Sequence, residues 1–177
     1  MDLTEIKKAF NLKDNQLSNV SLIIDECNNY ELSTEQTAYI LATAYHESKF
    51  IPCEEIGKGT NKPYGKKIKY NRKPYTSPNK IYYGRGFVQL TWYELYERFG
   101  TLLEIDLLNN PELALQPKIA SEILVLGMVK GLFTGVKLIT FINKNSLNFY
   151  GARKIINGLD RADLVKDYAN KFYNIIK

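Results

Sequence analysis

From Ala38 to Tyr45 almost every residue is apolar. A helix that is apolar on all sides has no face to offer water and must sit inside a core. Ser33 followed by Gln36 forms a capping box, so this helix is expected to start at Ser33 and to run into His46, Glu47 and Ser48. Such an element needs other helices around it. Residues 14–29 supply one, with Asp14 as its cap and Leu17, Val20, Ile24 and Cys27 on one face. Another is expected over 86–99, with Phe87, Leu90 and Tyr93 or Glu94 at helical spacing. Asn110-Pro111 and Gln116-Pro117 place proline at first helical turns, and the apolar helix 117–130 ends near Gly131. Phe149 to Ile156 reads as helical, stopped by Asn157-Gly158. Asp160 is the expected cap of a last helix carrying Leu164, Tyr168, Phe172 and Ile176.

Residues 51–80 break the pattern. Gly57, Gly59, Pro63, Gly65, Pro74 and Pro78 interrupt any long helix. Short strands or an ordered loop are expected there, and a loop of that size in a compact domain is usually functional. The fold class is therefore mostly α, a two-lobed helical domain with a small irregular or β segment around residues 51–85. A length of 177 residues suits one domain spanning 1–177.

No stretch is long and apolar enough to span a membrane, so no membrane insertion is expected. The opening MDLTEIKKAF has early acids and no apolar run, so no secretory signal is expected. Two cysteines, Cys27 and Cys53, are too few for a disulfide framework and are expected as buried or partly buried thiols. With one histidine there is no zinc-ligand cluster, and neither metal nor cofactor is expected. The net charge of +5 favours polyanions. The densest cluster, Lys58 to Lys73, is mixed with Gly, Pro and Tyr rather than forming a helical stripe, so nucleic acid is not the expected partner. Thirteen tyrosines offer flat apolar faces with a hydroxyl, a combination that suits sugars as well as ordinary cores.

Glycoside hydrolysis usually uses two carboxyl groups flanking the scissile bond, one protonated and the other ionised. Glu47, near the C-terminal end of a buried helix, faces the negative end of the helix dipole. Dipole and partial burial both disfavour its carboxylate, which suits a proton donor. The competing reading is a solvated surface charge. Glu54 and Glu55 lie seven and eight residues on, past Pro52, and either could fold back opposite Glu47. In the block Tyr82 to Trp92, two glycines allow close backbone approach to a ligand. Arg85 can fix a carboxylate, and Gln89 and Thr91 can bond sugar or water. Gly84 and Gly86 do not make a nucleotide loop, since the third glycine and the βαβ setting are missing.

The pattern His46-Glu47-Ser48, Glu54-Glu55-Ile56-Gly57-Lys58-Gly59 and Tyr82-Tyr83-Gly84-Arg85-Gly86-x-x-Gln89-Leu90-Thr91-Trp92 resembles glycoside hydrolase family 19 (the class I chitinase type). More narrowly it resembles the phage and prophage endolysin branch. Asn110 to Ala114 and Ala152 to Gly158 agree with it, so the resemblance runs from about residue 34 to the C-terminus. It implies a lysozyme-like fold and inversion at the anomeric carbon. Glu47 would be the general acid and Glu55, which directly precedes the segment begun by Ile56, the general base. Thr91 would help hold the attacking water, with His46, Tyr83, Arg85, Gln89, Trp92 and Asn157 as substrate-binding residues. Arg161 is the candidate for the family's C-terminal arginine. The implied substrate is bacterial peptidoglycan, with chitin or a non-catalytic wall-binding module as alternatives. A protein made in the cytoplasm, acting on the wall as a monomer after release with a holin as partner, completes the expectation.

Overall fold

In the computed structural model, which describes residues 3–177, six α-helices carry the chain: α1 (Leu3–Phe10), α2 (Asp14–Asn29), α3 (Thr34–Ser48), α4 (Tyr93–Leu103), α5 (Pro117–Lys130) and α6 (Ala162–Ile176). Two small antiparallel hairpins complete it, β1 (Cys53–Glu54) with β2 (Arg85–Gly86) and β3 (Ile142–Asn143) with β4 (Ser146–Leu147). No helix among the described residues is long and apolar enough to cross a membrane.

The buried helix takes the central place expected of it. Ser33 caps α3 through Gln36, whose side chain returns the bond to the Ser33 backbone. Thr37 to Ala44 are all buried, and α3 packs chiefly against α6 while α2 packs on α5. A fully buried aliphatic side chain contributes about 1.5–3 kcal/mol, so Ile40 and Leu41, both at 0% exposure, help fix the axis of α3. Two apolar clusters result. The larger joins α1, α2, α3, α5 and α6, and the smaller gathers Tyr75, Tyr82, Leu90, Tyr96, Phe99 and Leu107 around α4 and the other side of α5. These are the two lobes.

Several local expectations are corrected. The segment 86–99 is not one helix. Gly86, Gln89 and Trp92 have φ of 88°, 56° and 77°, which no continuous right-handed helix tolerates. Arg85 and Leu90 instead exchange backbone hydrogen bonds across a tight turn, and α4 starts only at Tyr93. Phe87 and Leu90 are both buried because the turn folds them inward. Asp14 does not cap α2. It is the helix's first residue and pairs with Lys7, while Lys13 holds the cap position. Asp160 does not cap α6 either. Arg161 stands at that position with a left-handed φ of 58°, and the Asp160 carbonyl accepts from Arg153. The helical turn in 149–156 is a short 3-10 helix, Gly151–Ile155. Cys27 is buried as expected, and burial pushes its thiol up to about 12; Cys53 is exposed on a hairpin edge.

Candidate active site

Glu47 lies in the last turn of α3. Its carboxylate accepts a 2.6 Å bond from Nη1 of Arg153, whose side chain is only 4% exposed against 22% for Glu47. Arg153 is held in turn, since its Nε donates to the Asp160 carbonyl at 2.9 Å. The positive charge therefore stands at the negative end of α3, a favourable placement. The sequence offers Arg161 as one possibility for the family's C-terminal arginine and singles out no role for Arg153. Arg161 is exposed, and the 3-10 geometry that swings Arg153 inward had no periodic signature. Beyond Ser48 the chain turns sharply through Lys49 and Phe50, with φ of 51° and 61°. Gln16 and Asn19 of α2 clamp this turn by donating to the carbonyls of Lys49 and Phe50 at 2.8 and 2.7 Å. The chain then enters β1, which carries the other acids.

Glu54 and Glu55 are adjacent but have different partners. Glu54 pairs with Arg85 in the hairpin and accepts 2.5 Å from the Tyr83 hydroxyl. Lys58 stands 3.1 Å from its other oxygen and Nε of Arg85 3.6 Å from the first. The Tyr83 hydrogen bond foremost, with Lys58 next, holds the Glu54 carboxyl below its ordinary range. Glu55 accepts from the Tyr64 hydroxyl at 2.6 Å and from the backbone N–H of Gly84 at 3.2 Å. Its own N–H donates to the Gly84 carbonyl at 2.8 Å. Burial, then the bond to Glu55, pushes the Tyr64 phenol up to about 12, so Tyr64 remains a donor at neutral pH.

The turn after β2 organises the rest. Arg85 is buried, with Nη1 donating to the carbonyls of Ile81 and Tyr83 and to the Tyr96 hydroxyl. Its guanidinium lies 3.6 Å from the centre of the Tyr83 ring. That places Arg85 and most of Tyr83 inside the fold, where they set the position of Glu54 rather than present a sugar-facing surface. The Gln89 amide donates to the Cys53 carbonyl at 3.0 Å, tying the turn to β1. A β-carbon on Gly84 would stand 2.6 Å from Oε1 of Gln89, so the glycine makes room for that side chain. The Thr91 hydroxyl donates to the Gln89 carbonyl at 2.7 Å, leaving its lone pairs free to accept. Trp92 is flanked edge-on by Tyr64 and Tyr70 at 5.4 and 5.3 Å. Asn157 is exposed in the loop beyond Arg153, where its side chain accepts from the Gly158 N–H. Glu55, Thr91, Gln89 and Trp92 thus share one neighbourhood around the hairpin. Glu47 and Arg153 form a second group at the end of α3, which the clamped turn joins to the first. An open groove of about 1160 Å³ lies elsewhere, between Glu31–Gln36 and the β3–β4 hairpin. None of the titrating groups just described lines it.

His46 adjoins Glu47. Burial pushes its imidazole below the ordinary value of 6.5, with Glu47 opposing and Arg153, Lys49 and Arg161 adding to the shift. The unfolded chain therefore takes up a proton first, so the contribution of His46 to stability is full above about 6.5 and is lost as pH drops through the folded value. The chain has one histidine, so its ring resonances can be followed alone by NMR. A midpoint below 6.5 is expected; one above it would mean that Glu47, not burial, governs the ring.

No family model matches the chain. Solved structures that share its fold include three chitinases. A family 19 chitinase of bacterial origin superposes with a TM-score of 0.70 at 20% identity, covering 99% of this chain and 94% of that one. Chitinase C from Streptomyces griseus HUT6037 gives 0.66 at 24% identity over 88% and 68%, and a chitinase C variant gives 0.71 at 21% over 99% and 76%. The mostly helical, lysozyme-like fold is that of these enzymes. Shorter sequence likenesses point the same way. Endochitinase EP3 of Arabidopsis thaliana is 40% identical over 82 residues, 45% of this chain and 29% of that protein. Endochitinase 1 of Theobroma cacao is 51% identical over 37 residues, 21% and 12% of the two chains. Inactive chitinase-like protein 1 of Hevea brasiliensis is 47% identical over 45 residues, 25% and 14% of the two. The chain spans less than a third of the length of these curated relatives.

Proposed function

We propose that this chain is a glycoside hydrolase of family 19 type, cleaving a polymer of N-acetylated amino sugars by inversion, with bacterial peptidoglycan as substrate. The observation that carries the reading is the presence of two carboxylates, each fixed by its own buried or backbone partners, on a chitinase fold. Glu47 closes a buried helix against Arg153, and Glu55 is held by two neutral donors, Tyr64 and Gly84. Glu47 gives its proton to the leaving oxygen, and Arg153 stabilises the carboxylate that remains through a charge-assisted bond. Glu55 takes a proton from the attacking water, whose second hydrogen the free lone pairs of Thr91 accept. Inversion needs room for that water, with the carboxyl groups about 6.5–9.5 Å apart. Gln89, Trp92 and Asn157 border these groups and bind sugar in this reading. The endolysin-like motifs support peptidoglycan over chitin, and in the same proposal a monomer reaches the wall after release by a holin. Chitin is the second reading, supported by the names of the structures that share the fold.

The test is digestion of purified peptidoglycan and of chitin, followed by mass spectrometry and NMR of the first-formed ends. New reducing ends of inverted configuration from peptidoglycan are expected. Cleavage of chitin alone would transfer the proposal to the second reading. Anhydro sugars would indicate a transglycosylase. No cleavage of either polymer by folded protein would leave a wall-binding module, as the likeness to an inactive chitinase-like protein makes worth checking.

A further inference from the structure

Charge is distributed very unevenly along this chain. Between Ile56 and Lys80 there are eight cations, seven lysines and Arg72, and no acid. The whole chain has 24 cations and 19 acids, so everything outside this segment is net acidic, by 16 cations to 19 acids. Within the segment only Lys58 meets a carboxylate among the described residues, that of Glu54. Lys67 bonds the neutral Asn79, and Lys69 lies over the Tyr93 ring at 4.1 Å. Lys62, Lys66, Arg72 and Lys73 are exposed.

These charges are not on a loose tail. Pro63–Lys66 is a 3-10 turn, Ile68 bridges to Pro74, and Tyr75 is buried. The Tyr70 N–H is held by Glu94 at 2.8 Å, and Gly65 packs so tightly on Gly59 that a β-carbon would stand 2.0 Å from its carbonyl oxygen. Holding like charges on an ordered surface costs self-repulsion, which a bound polyanion relieves. The segment is also joined to the proposed site, because Tyr64, in its midst, donates to Glu55. The uncharged sugar backbone of a glycan gives these cations nothing to pair with.

We infer that the 56–80 segment is a docking surface for the phosphate-bearing anionic polymer of a bacterial wall, laid alongside the glycan that Glu47 and Glu55 act on. The inference rests on the hydrolase reading for its choice of partner. A duplex nucleic acid fits less well, since the cations lie on an irregular loop beside the site rather than on a helix or ribbon shaped for a groove.

The test is co-sedimentation of the full chain with Gram-positive cell walls, either native or stripped of phosphate polymers with hydrofluoric acid, and titration with long-chain polyphosphate as a soluble probe. Stripped walls are expected to bind at least ~10-fold more weakly, and raising salt from ~50 to ~200 mM to weaken polyphosphate binding at least ~10-fold, as counterion release requires for several phosphate contacts. Combining Lys62→Gln, Lys66→Gln, Arg72→Gln and Lys73→Gln is expected to weaken both by a similar factor. A control with the same loss of charge, Lys8→Gln, Lys137→Gln, Lys144→Gln and Lys154→Gln, at exposed sites elsewhere, is expected to bind as the parent does. Equal binding to stripped walls, equal losses in the two variants, or tighter binding to duplex DNA than to polyphosphate would overturn the inference. Hydrolysis of soluble peptidoglycan glycan fragments free of phosphate polymer, with N-acetylglucosamine oligomers beside them, measured in parallel, separates the two claims. Hydrolysis without polyanion binding removes the docking surface alone, and polyanion binding without hydrolysis supports the surface while removing the reading of the site.

Discussion

Glu47→Gln is expected to lower turnover on glycan at least ~100-fold, the range general acid catalysis supplies, in a protein that still folds. The amide is nearly isosteric and its oxygen can still accept from Nη1 of Arg153, so the contact at the end of α3 is weakened rather than removed. A hydrogen bond to a charged group contributes about 1.5–3 kcal/mol, and the stability lost is expected near the upper end of that, because the guanidinium of Arg153, 4% exposed, keeps only the amide oxygen and the Asp160 carbonyl as acceptors among the described residues. Arg153→Met provides the comparison. It leaves Glu47 without its ion-pair partner and frees the Asp160 carbonyl that Arg153 holds. Taking one partner from a largely buried pair costs more than weakening it, about 3–5 kcal/mol. Thermal unfolding and activity per folded molecule are therefore expected to separate the variants, with Glu47→Gln inactive but only modestly less stable and Arg153→Met markedly less stable. Wild-type-like digestion by folded Glu47→Gln would remove Glu47 from the chemistry.

What was legible in the sequence follows from how each residue acts. The central helix declared itself because burial on all sides leaves no polar stripe, and its start because Ser33 and Gln36 cap through local bonds. The prolines at 111 and 117 marked helix starts for an equally local reason. The turn from Arg85 to Trp92 was misread because Phe87, Leu90 and Tyr93 mimic helical spacing, while the left-handed φ values at Gln89 and Trp92 fall on residues that rarely adopt them. Arg153 was missed because its role depends on a contact 106 positions away in the chain, which no window along the sequence contains. The Tyr64–Glu55 and Tyr83–Glu54 bonds are hidden in the same way. A block read as sugar-facing proved to be partly scaffold, since Arg85 is 6% exposed and Tyr83 7%. Residue identity pointed to the neighbourhood of the site, and folding decided which residues face outward from it.

Glu55→Ala is expected to abolish water activation and to leave glycan binding largely intact, whereas Glu54→Ala should retain most activity and lose stability. The two acids are neighbours in sequence with separate surroundings. Glu54 is wrapped by Tyr83, Lys58 and Arg85. Removing it deprives the Arg85 Nε of the carboxylate beside it and the Tyr83 hydroxyl of its acceptor, the kind of change that registers in unfolding. Because the Glu54 carboxyl is held below its ordinary value of 4.5, its contribution is present above that pH and is lost as pH falls through the folded value. The destabilisation caused by Glu54→Ala should therefore shrink as pH drops below about 4.5. Among the described residues Glu55 has no cation as a bonding partner. Its oxygens are met by a phenol and a backbone amide, which orient the carboxylate without neutralising it, the setting a base requires. Azide, a small anionic nucleophile, should partly restore Glu55→Ala and do nothing for Glu47→Gln on the natural leaving group, since only the base is bypassed. The assignment fails if Glu54→Ala is the dead variant while Glu55→Ala turns over, or if the first-formed product retains its anomeric configuration. Retention would require the two carboxyl groups to work at about 5 Å with Glu55 as nucleophile, and Glu55→Ala would then accumulate no covalent glycosyl intermediate where the parent does.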